Sequence, residues 1–227
     1  MNAPLNRQFL LAQRPVGLPS RETFSYVENS VGEPGPGQIL VKNAYLSLDP
    51  AMRGWMNDAK SYIPPVGIGE VMRALGVGEV VASQHPDFAV GDHVNGALGV
   101  QDYFLGEPKG FYKVDPKRAP LPLYLSALGM TGMTAYFALL DVGAPKAGET
   151  VVISGAAGAV GSIAGQIAKL KGCRVVGIAG GADKCKFLID ELGFDGAIDY
   201  KSEDVIAGLK RECPKGVDVY FDNVGGD

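Results

Sequence analysis

The fold is decided by the stretch Thr150-Val151-Val152-Ile153-Ser154-Gly155-Ala156-Ala157-Gly158-Ala159-Val160-Gly161 and by the apolar-periodic segment that follows it. The β-branched run predicts a buried strand, and the spacing of Ile163, Ala164 and Ile167 predicts a helix. Small residues in the turn let the backbone approach a pyrophosphate, whose charge the helix N-terminus stabilises. This context predicts a dinucleotide-binding turn; a tight turn without a ligand is the alternative.

Beyond the turn, strands and helices alternate along the chain, which is typical of a doubly wound parallel sheet. A sheet of this kind normally has six strands in the order 3-2-1-4-5-6, and the sequence supplies four of them. The predicted strands are Thr150–Ser154, Arg174–Ala179, Ala197–Tyr200 and Val217–Asp222, and the predicted helices are Val160–Lys171, Ala182–Leu192 and Glu203–Arg211.

The end of the second strand indicates which dinucleotide binds. An acidic side chain at this place would hold the ribose 2′-hydroxyl of NAD, but the sequence continues Gly180-Gly181-Ala182-Asp183-Lys184. Lys184 can neutralise a 2′-phosphate, which favours NADP(H) as the cofactor. We interpret Asp183 as the cap of the next helix. The alternative for Lys184 is an ordinary exposed lysine.

The N-terminal part lacks the alternation of strands and helices seen after residue 123, and consists of short apolar runs separated by glycine and proline turns. Ile39–Leu46 and Gly76–Val81 are predicted strands, and Gly91-Asp92 forms a turn before another. The fold class is therefore α/β, with a β-rich barrel domain at 1–122 and a dinucleotide-binding domain at 123–227. Leu121–Leu140 carries no charge, but its prolines and glycines favour a buried helix over a membrane span.

Charge and cysteine content exclude several function classes. Lysine and arginine number 21 against 25 aspartates and glutamates, without a basic block, so nucleic acid is not an expected partner. The N-terminus lacks a secretory signal pattern, which favours the cytoplasm. All three cysteines lie at or after Cys173 and fit no zinc spacing, and His85 and His93 alone cannot complete a four-coordinate site. We expect no metal.

Five motifs follow one another along the chain: Leu46–Gly54, Ser61-Tyr62, Leu128–Tyr136, Ala156–Gly161 and Tyr220–Gly226. In this order they resemble the motifs of one enzyme family, the zinc-independent medium-chain dehydrogenases/reductases, in its prostaglandin reductase, leukotriene B4 dehydrogenase and curcumin reductase branch. The resemblance implies a GroES-like barrel domain followed by a Rossmann domain. It also implies NADPH-dependent reduction of the carbon–carbon double bond of small-molecule α,β-unsaturated ketones or aldehydes.

The same resemblance implies roles for individual residues. The cofactor's 2′-phosphate would meet Lys184 and Tyr200, although the segment between them is one residue longer than in prostaglandin reductases. Met130 and Thr131 resemble nicotinamide neighbours, with helix packing as an equal alternative. The pyrophosphate and the rest of the cofactor would be contacted by Gly158, Ala159, Val160, Gly161 and Asn223.

Reduction of an enone leaves negative charge on the substrate's carbonyl oxygen, which needs a hydrogen-bond donor. Tyr62 is the candidate, because a phenol can supply this bond and the Ser61–Pro65 segment looks like a loop over a cleft. The alternative is a packed loop tyrosine. Arg53 is a candidate for steering a carboxylated substrate, with a solvated surface arginine as the alternative.

Two other functions stay open at this stage: an NADPH quinone oxidoreductase, and a non-catalytic NADP-binding protein of crystallin-like or sensor type. Family members continue well beyond Asp227, so we expect these 227 residues to lack the last Rossmann strands and to have little or no reductase activity alone. Members commonly form homodimers, often through the terminal strand of that sheet.

Overall fold

The structure is a computed structural model that describes residues 4–225. The chain divides after Leu125 into two compact units. Gly226, which closes the last of the five motifs, lies outside the described residues. No helix among the described residues is long and apolar enough to cross a membrane.

The first unit is built from antiparallel strands, as its turn-rich sequence predicts. The strands are β1 (Leu5–Leu11), β2 (Phe24–Ser30), β3 (Ile39–Leu46), β4 (Gly76–Ser83), β5 (His93–Gly96), β6 (Tyr103–Gly106) and β7 (Tyr112–Val114). A five-stranded sheet has the order β6-β3-β4-β5-β7, and β1 and β2 pair separately. A short helix, α1, spans Ala51–Trp55.

Two apolar clusters stabilise this unit. Alternate residues of β3, Ile39 and Val41, point to one face of the sheet and pack with Val80 of β4. In the second cluster Met52 of α1 packs with Leu11 and neighbouring methionines, which fixes the helix. The strand predicted at Ile39–Leu46 is confirmed with the same bounds, and the Gly91-Asp92 turn precedes β5 as expected.

The second unit contains a four-stranded parallel sheet, formed by β8 (Thr150–Ile153), β9 (Arg174–Ala179), β10 (Gly196–Asp199) and β11 (Val219–Phe221). The strand order is β10-β9-β8-β11. This is the predicted 3-2-1-4 arrangement of a doubly wound sheet. The helices are α2 (Met130–Phe137), α3 (Ala159–Leu170), α4 (Ala182–Asp190) and α5 (Val205–Glu212).

The core of this unit lies between the sheet and its helices. Val151 and Ile153 of β8 are fully buried with Leu188 of α4, in a cluster that also contains Phe194. Every residue of β8 is buried, as expected for a central parallel strand covered on both faces. Because the four strands are parallel, their carboxyl ends lie along one edge of the sheet, where Gly158, Lys184 and Tyr200 line one cavity.

Two local predictions were wrong. Leu121–Leu140 is not one buried helix: a 3₁₀ turn spans Leu121–Leu125, α2 begins after the extended Gly129, and a π-helical segment continues from Ala138. Tyr136 and Phe137 are about half exposed.

The second wrong prediction is that Asp183 caps α4. The cap is Gly181, whose φ of +107° only glycine adopts readily, and Asp183 lies in the first helical turn.

Candidate dinucleotide-binding site

An open cavity of about 560 Å³ lies at the carboxyl edge of the parallel sheet. Each strand contributes the residues that directly follow it, which is where ligands bind in open α/β sheets. The lining residues are Ser154, Gly155, Ala157, Gly158, Ile178, Ala179, Gly180, Lys184, Tyr200, Val205, Tyr220, Asp222, Val224 and Gly225.

The glycine turn forms one wall of this cavity. Gly158 lines the cavity and caps α3, whose first backbone N–H groups have no partner within the helix. Ala159 and Val160 form the first turn of α3. Gly161 lies beneath: a Cβ there would be 2.5 Å from the carbonyl oxygen of Gly155. The close packing of this turn therefore requires glycine at 161, and it leaves a helix N-terminus facing the cavity for an anionic group.

Lys184 and Tyr200 lie on the wall formed after β9 and β10. Lys184 belongs to the first turn of α4, where its N–H donates to the carbonyl oxygen of Gly181 at 3.1 Å. Tyr200 follows β10 and packs against Gly180, where a Cβ would be 2.6 Å from the phenol oxygen. The structure thus brings Lys184 and Tyr200, which lie on separate segments of the sequence, to the same cavity as Gly158.

A polar network joins β8 to β11 at the floor of the cavity. The buried Ser154 hydroxyl donates to Asp222 Oδ1 at 2.5 Å and accepts from the Asn223 N–H at 2.7 Å. Asp222 also accepts from the N–H groups of Val224 and Gly225. The Ser154 bond and these backbone bonds hold the pKa of the Asp222 carboxyl below its usual range. The network fixes the chain that follows β11.

We expect Ser154→Ala to lower the free energy of unfolding by about 1–3 kcal/mol, because it removes a buried hydroxyl that both donates and accepts. Urea denaturation followed by circular dichroism measures the change. Ser162→Ala is the matched control, since that hydroxyl makes one long bond on the surface of α3. Equal stability of the two variants would contradict the structural role of Ser154.

Asn223, predicted to lie close to the cofactor, does not line the cavity itself. Its side-chain amide donates to the carbonyl oxygen of Ser154 at 3.0 Å. Met130 and Thr131 begin α2 and do not line the cavity either. The Thr131 hydroxyl donates to the carbonyl oxygen of Ser126, so it is engaged in the local turn.

Tyr62 lies in the first unit, where 84% of it is exposed. The indole N–H of Trp55 donates to its hydroxyl oxygen at 3.3 Å. Arg53 is anchored within the same unit: its guanidinium donates to the carbonyl oxygens of Pro15 and Gly17. Arg53 therefore ties α1 to the Pro15–Gly17 segment.

Within residues 4–225, no three histidine, cysteine or carboxylate side chains lie close enough together to hold a metal ion. His85 lies in a loop, where its Nδ1 accepts from the Asp87 N–H, and His93 begins β5.

Comparisons with known proteins match both units. The family described as "N-terminal domain of oxidoreductase" matches residues 7–114, and the family described as "Zinc-binding dehydrogenase" matches residues 159–227. The NADPH-dependent curcumin reductase of Escherichia coli is 50% identical over 97% of this chain. The NADP-dependent 2-alkenal reductase of Nicotiana tabacum is 42% identical over 97%. The chain spans 64% and 66% of the lengths of these two relatives.

A solved structure agrees with these relatives. The crystal structure of CurA from Vibrio vulnificus in complex with NADPH has a TM-score of 0.91 and 49% identity, covering 97% of this chain and 66% of that one. This chain belongs to the zinc-independent medium-chain dehydrogenase/reductase family. The resemblance inferred from the five motifs is confirmed.

In this medium-chain reductase fold, the antiparallel unit is the GroES-like domain and the parallel unit is the Rossmann-like domain, as the sequence predicted. What sequence reasoning missed is the network of Ser154 and Asp222. The two residues are 68 positions apart, and no local pattern signals their contact.

Proposed function

We propose that this protein is an NADPH-dependent reductase of the carbon–carbon double bond of α,β-unsaturated ketones or aldehydes. The observation that carries the proposal is the single cavity lined by Gly158 at a helix N-terminus and by Lys184 and Tyr200 after the neighbouring strands. The named activities of the curcumin and 2-alkenal reductases support the substrate class.

The residues fit NADP(H) in two places. The glycine turn from Gly158 to Gly161 would stabilise the pyrophosphate through the N–H groups in the first turn of α3, which have no partner within the helix, and through the helix dipole. Lys184 Nζ and the Tyr200 hydroxyl would hold the 2′-phosphate, which NAD lacks. Asn223, Met130 and Thr131 stay in the proposal as cofactor neighbours.

When bound, NADPH supplies the hydride for the β-carbon of the substrate. The protein's part is to orient the substrate and to stabilise the charge that develops on its carbonyl oxygen. Tyr62 is suited to this task, because its hydroxyl oxygen already accepts from Trp55 and its own proton is left to donate.

Tyr62→Phe is expected to lower kcat about 100-fold or more, the usual effect of removing one donor to a developing oxyanion. NADPH affinity should stay within about twofold, because the role proposed for the phenol is a hydrogen bond to the substrate's carbonyl oxygen and not to the nucleotide. Steady-state assays with an enone, in the complete reading frame that contains these residues, measure both. Tyr45→Phe, another exposed tyrosine of the same unit, is the control. Unchanged turnover would remove Tyr62 from the mechanism.

The second candidate is an NADPH quinone oxidoreductase. The quinone oxidoreductase structure from Pseudomonas syringae supports it, with 27% identity and a TM-score of 0.72. Parallel assays of enones and quinones with NADPH separate the two functions. Nucleotide binding without turnover of either class would instead favour a non-catalytic NADP-binding protein.

We further propose a cytoplasmic location and a homodimer. The buried thiols of Cys173 and Cys213 support the location, because unpaired cysteines are typical of reducing compartments. The homodimer rests on the family resemblance alone, and size-exclusion chromatography with light scattering tests it.

A further inference from the structure

Asp199, the last residue of β10, connects the two segments that carry Lys184 and Tyr200. Its Oδ1 accepts from the Gly181 N–H at 2.7 Å and from the Lys201 N–H at 3.0 Å. Gly181 is the N-cap of α4, and Lys201 directly follows Tyr200. One carboxylate oxygen therefore bridges the turn after β9 and the turn after β10.

The first of these bonds, from the Gly181 N–H, fixes the start of the helix that carries Lys184. Gly181 is the N-cap of α4, and its carbonyl oxygen accepts from the Lys184 N–H at 3.1 Å. Gly181 has a φ of +107° and, without a Cβ, little intrinsic conformational preference. The hydrogen bond that its N–H donates to Asp199 therefore restrains the backbone at this position.

The second bond, from the Lys201 N–H, restrains the backbone next to Tyr200. The Tyr200 N–H itself donates to the carbonyl oxygen of Ala179 at 3.2 Å, and the Tyr200 ring packs against Gly180. Both backbone bonds to Asp199 hold the pKa of its carboxyl below the usual range, so it is ionised at neutral pH and accepts strongly.

We propose that Asp199 is a positioning residue for cofactor selectivity: it holds Lys184 and Tyr200 at the separation that lets both bind one 2′-phosphate. The inference rests on the proposed NADP(H) function. Because NAD shares every other part of the cofactor, loosening this bridge should weaken NADPH binding and leave NADH binding nearly unchanged.

Asp199→Ala tests the proposal through the ratio of NADPH to NADH affinity, measured by fluorescence titration of the 227-residue chain. We expect the preference for NADPH to fall about tenfold, as when one charge-assisted hydrogen bond is lost. Asp199→Asn keeps an oxygen that accepts both N–H groups, so the preference should be retained or raised. If the charge of Asp199 acted only by repelling the phosphate, Asp199→Ala would raise the preference instead.

Asp195→Ala is the matched control. Asp195 lies just before the same strand and accepts from the Val175 N–H at 2.7 Å, so it joins β9 and β10 at the opposite edge of the sheet. This variant should lower the melting temperature without changing the NADPH preference. If Asp199→Ala does not fold, Asp199→Glu takes its place. This variant displaces the acceptor by one methylene group, so we expect the same loss of NADPH preference.

The outcomes separate this inference from the function on which it rests. A wild-type chain that does not prefer NADPH would overturn both. A wild-type chain that prefers NADPH, combined with an Asp199→Ala or Asp199→Glu variant of unchanged or raised preference, would overturn the positioning role alone. An equal loss of NADPH preference in Asp195→Ala would overturn it as well, because the effect would then be one of general stability.

Discussion

Gly161→Ala is expected to weaken NADPH binding at least about tenfold and to lower the free energy of unfolding by about 2–3 kcal/mol. A Cβ at this position would lie 2.5 Å from the carbonyl oxygen of Gly155 and 2.8 Å from the Cα of Ala156. Both are backbone atoms, which cannot rotate away as a side chain does. Either α3 or the glycine turn must move, and the helix N-terminus moves with it.

Gly54→Ala provides the matched control for that variant. Gly54 lies within α1, and a Cβ there would meet no atom within 4 Å. Alanine is the better helix former, so Gly54→Ala should be neutral or stabilising. Chemical denaturation and nucleotide titration compare the two variants. If the Gly161→Ala and Gly54→Ala variants had the same stability and the same NADPH affinity, that result would contradict the close packing of the turn.

Lys184→Ala is expected to weaken NADPH binding about 10- to 100-fold, as when a charge-assisted hydrogen bond is removed. NADH binding should change by no more than about twofold, because NADH has no phosphate for the ammonium group. Titration of both nucleotides at several salt concentrations measures the effect. The NADPH affinity of the wild-type chain should also fall as ionic strength rises, since Lys184 is exposed and its charge is screened.

Lys186→Ala is the control for the lysine variant. Lys186 lies on the same helix and is also exposed, but it does not line the cavity. Residues two positions apart lie on different faces of a helix, so this variant changes net charge without touching the site. If the two variants lost NADPH affinity equally, general electrostatic attraction would explain the effect and Lys184 would have no specific role.

The sequence predicted those parts of the fold in which local pattern and burial agree. Arg174–Ala179 was predicted with its observed bounds, because β-branched residues end at a glycine pair. The glycine turn was recognisable because strand, small residues and helix follow one another within one unit. Lys184 was predicted to bind a 2′-phosphate because an acidic residue is missing at the end of that strand; the structure shows that Lys184 lines the cavity, and its role stays a prediction.

The remaining features depend on contacts that no local pattern encodes. The Asp183 cap was wrong because the N-cap is Gly181, two residues earlier, with a φ that only glycine readily tolerates; the helix begins at Ala182, as predicted. The Ser154–Asp222 network and the Asp199 bridge join segments that meet only after the sheet forms. Leu121–Leu140 was misjudged because Gly129 interrupts a stretch whose composition alone favours one helix.

The central claim is that the cavity at the carboxyl edge of the parallel sheet binds NADP(H) through its 2′-phosphate. Titration of the wild-type chain with NADPH and NADH, followed by the quenching of protein fluorescence or by calorimetry, tests it most directly. We expect saturable binding of both nucleotides, with NADPH bound at least about tenfold more tightly. Equal affinities for the two nucleotides, or no binding of NADPH, would contradict it.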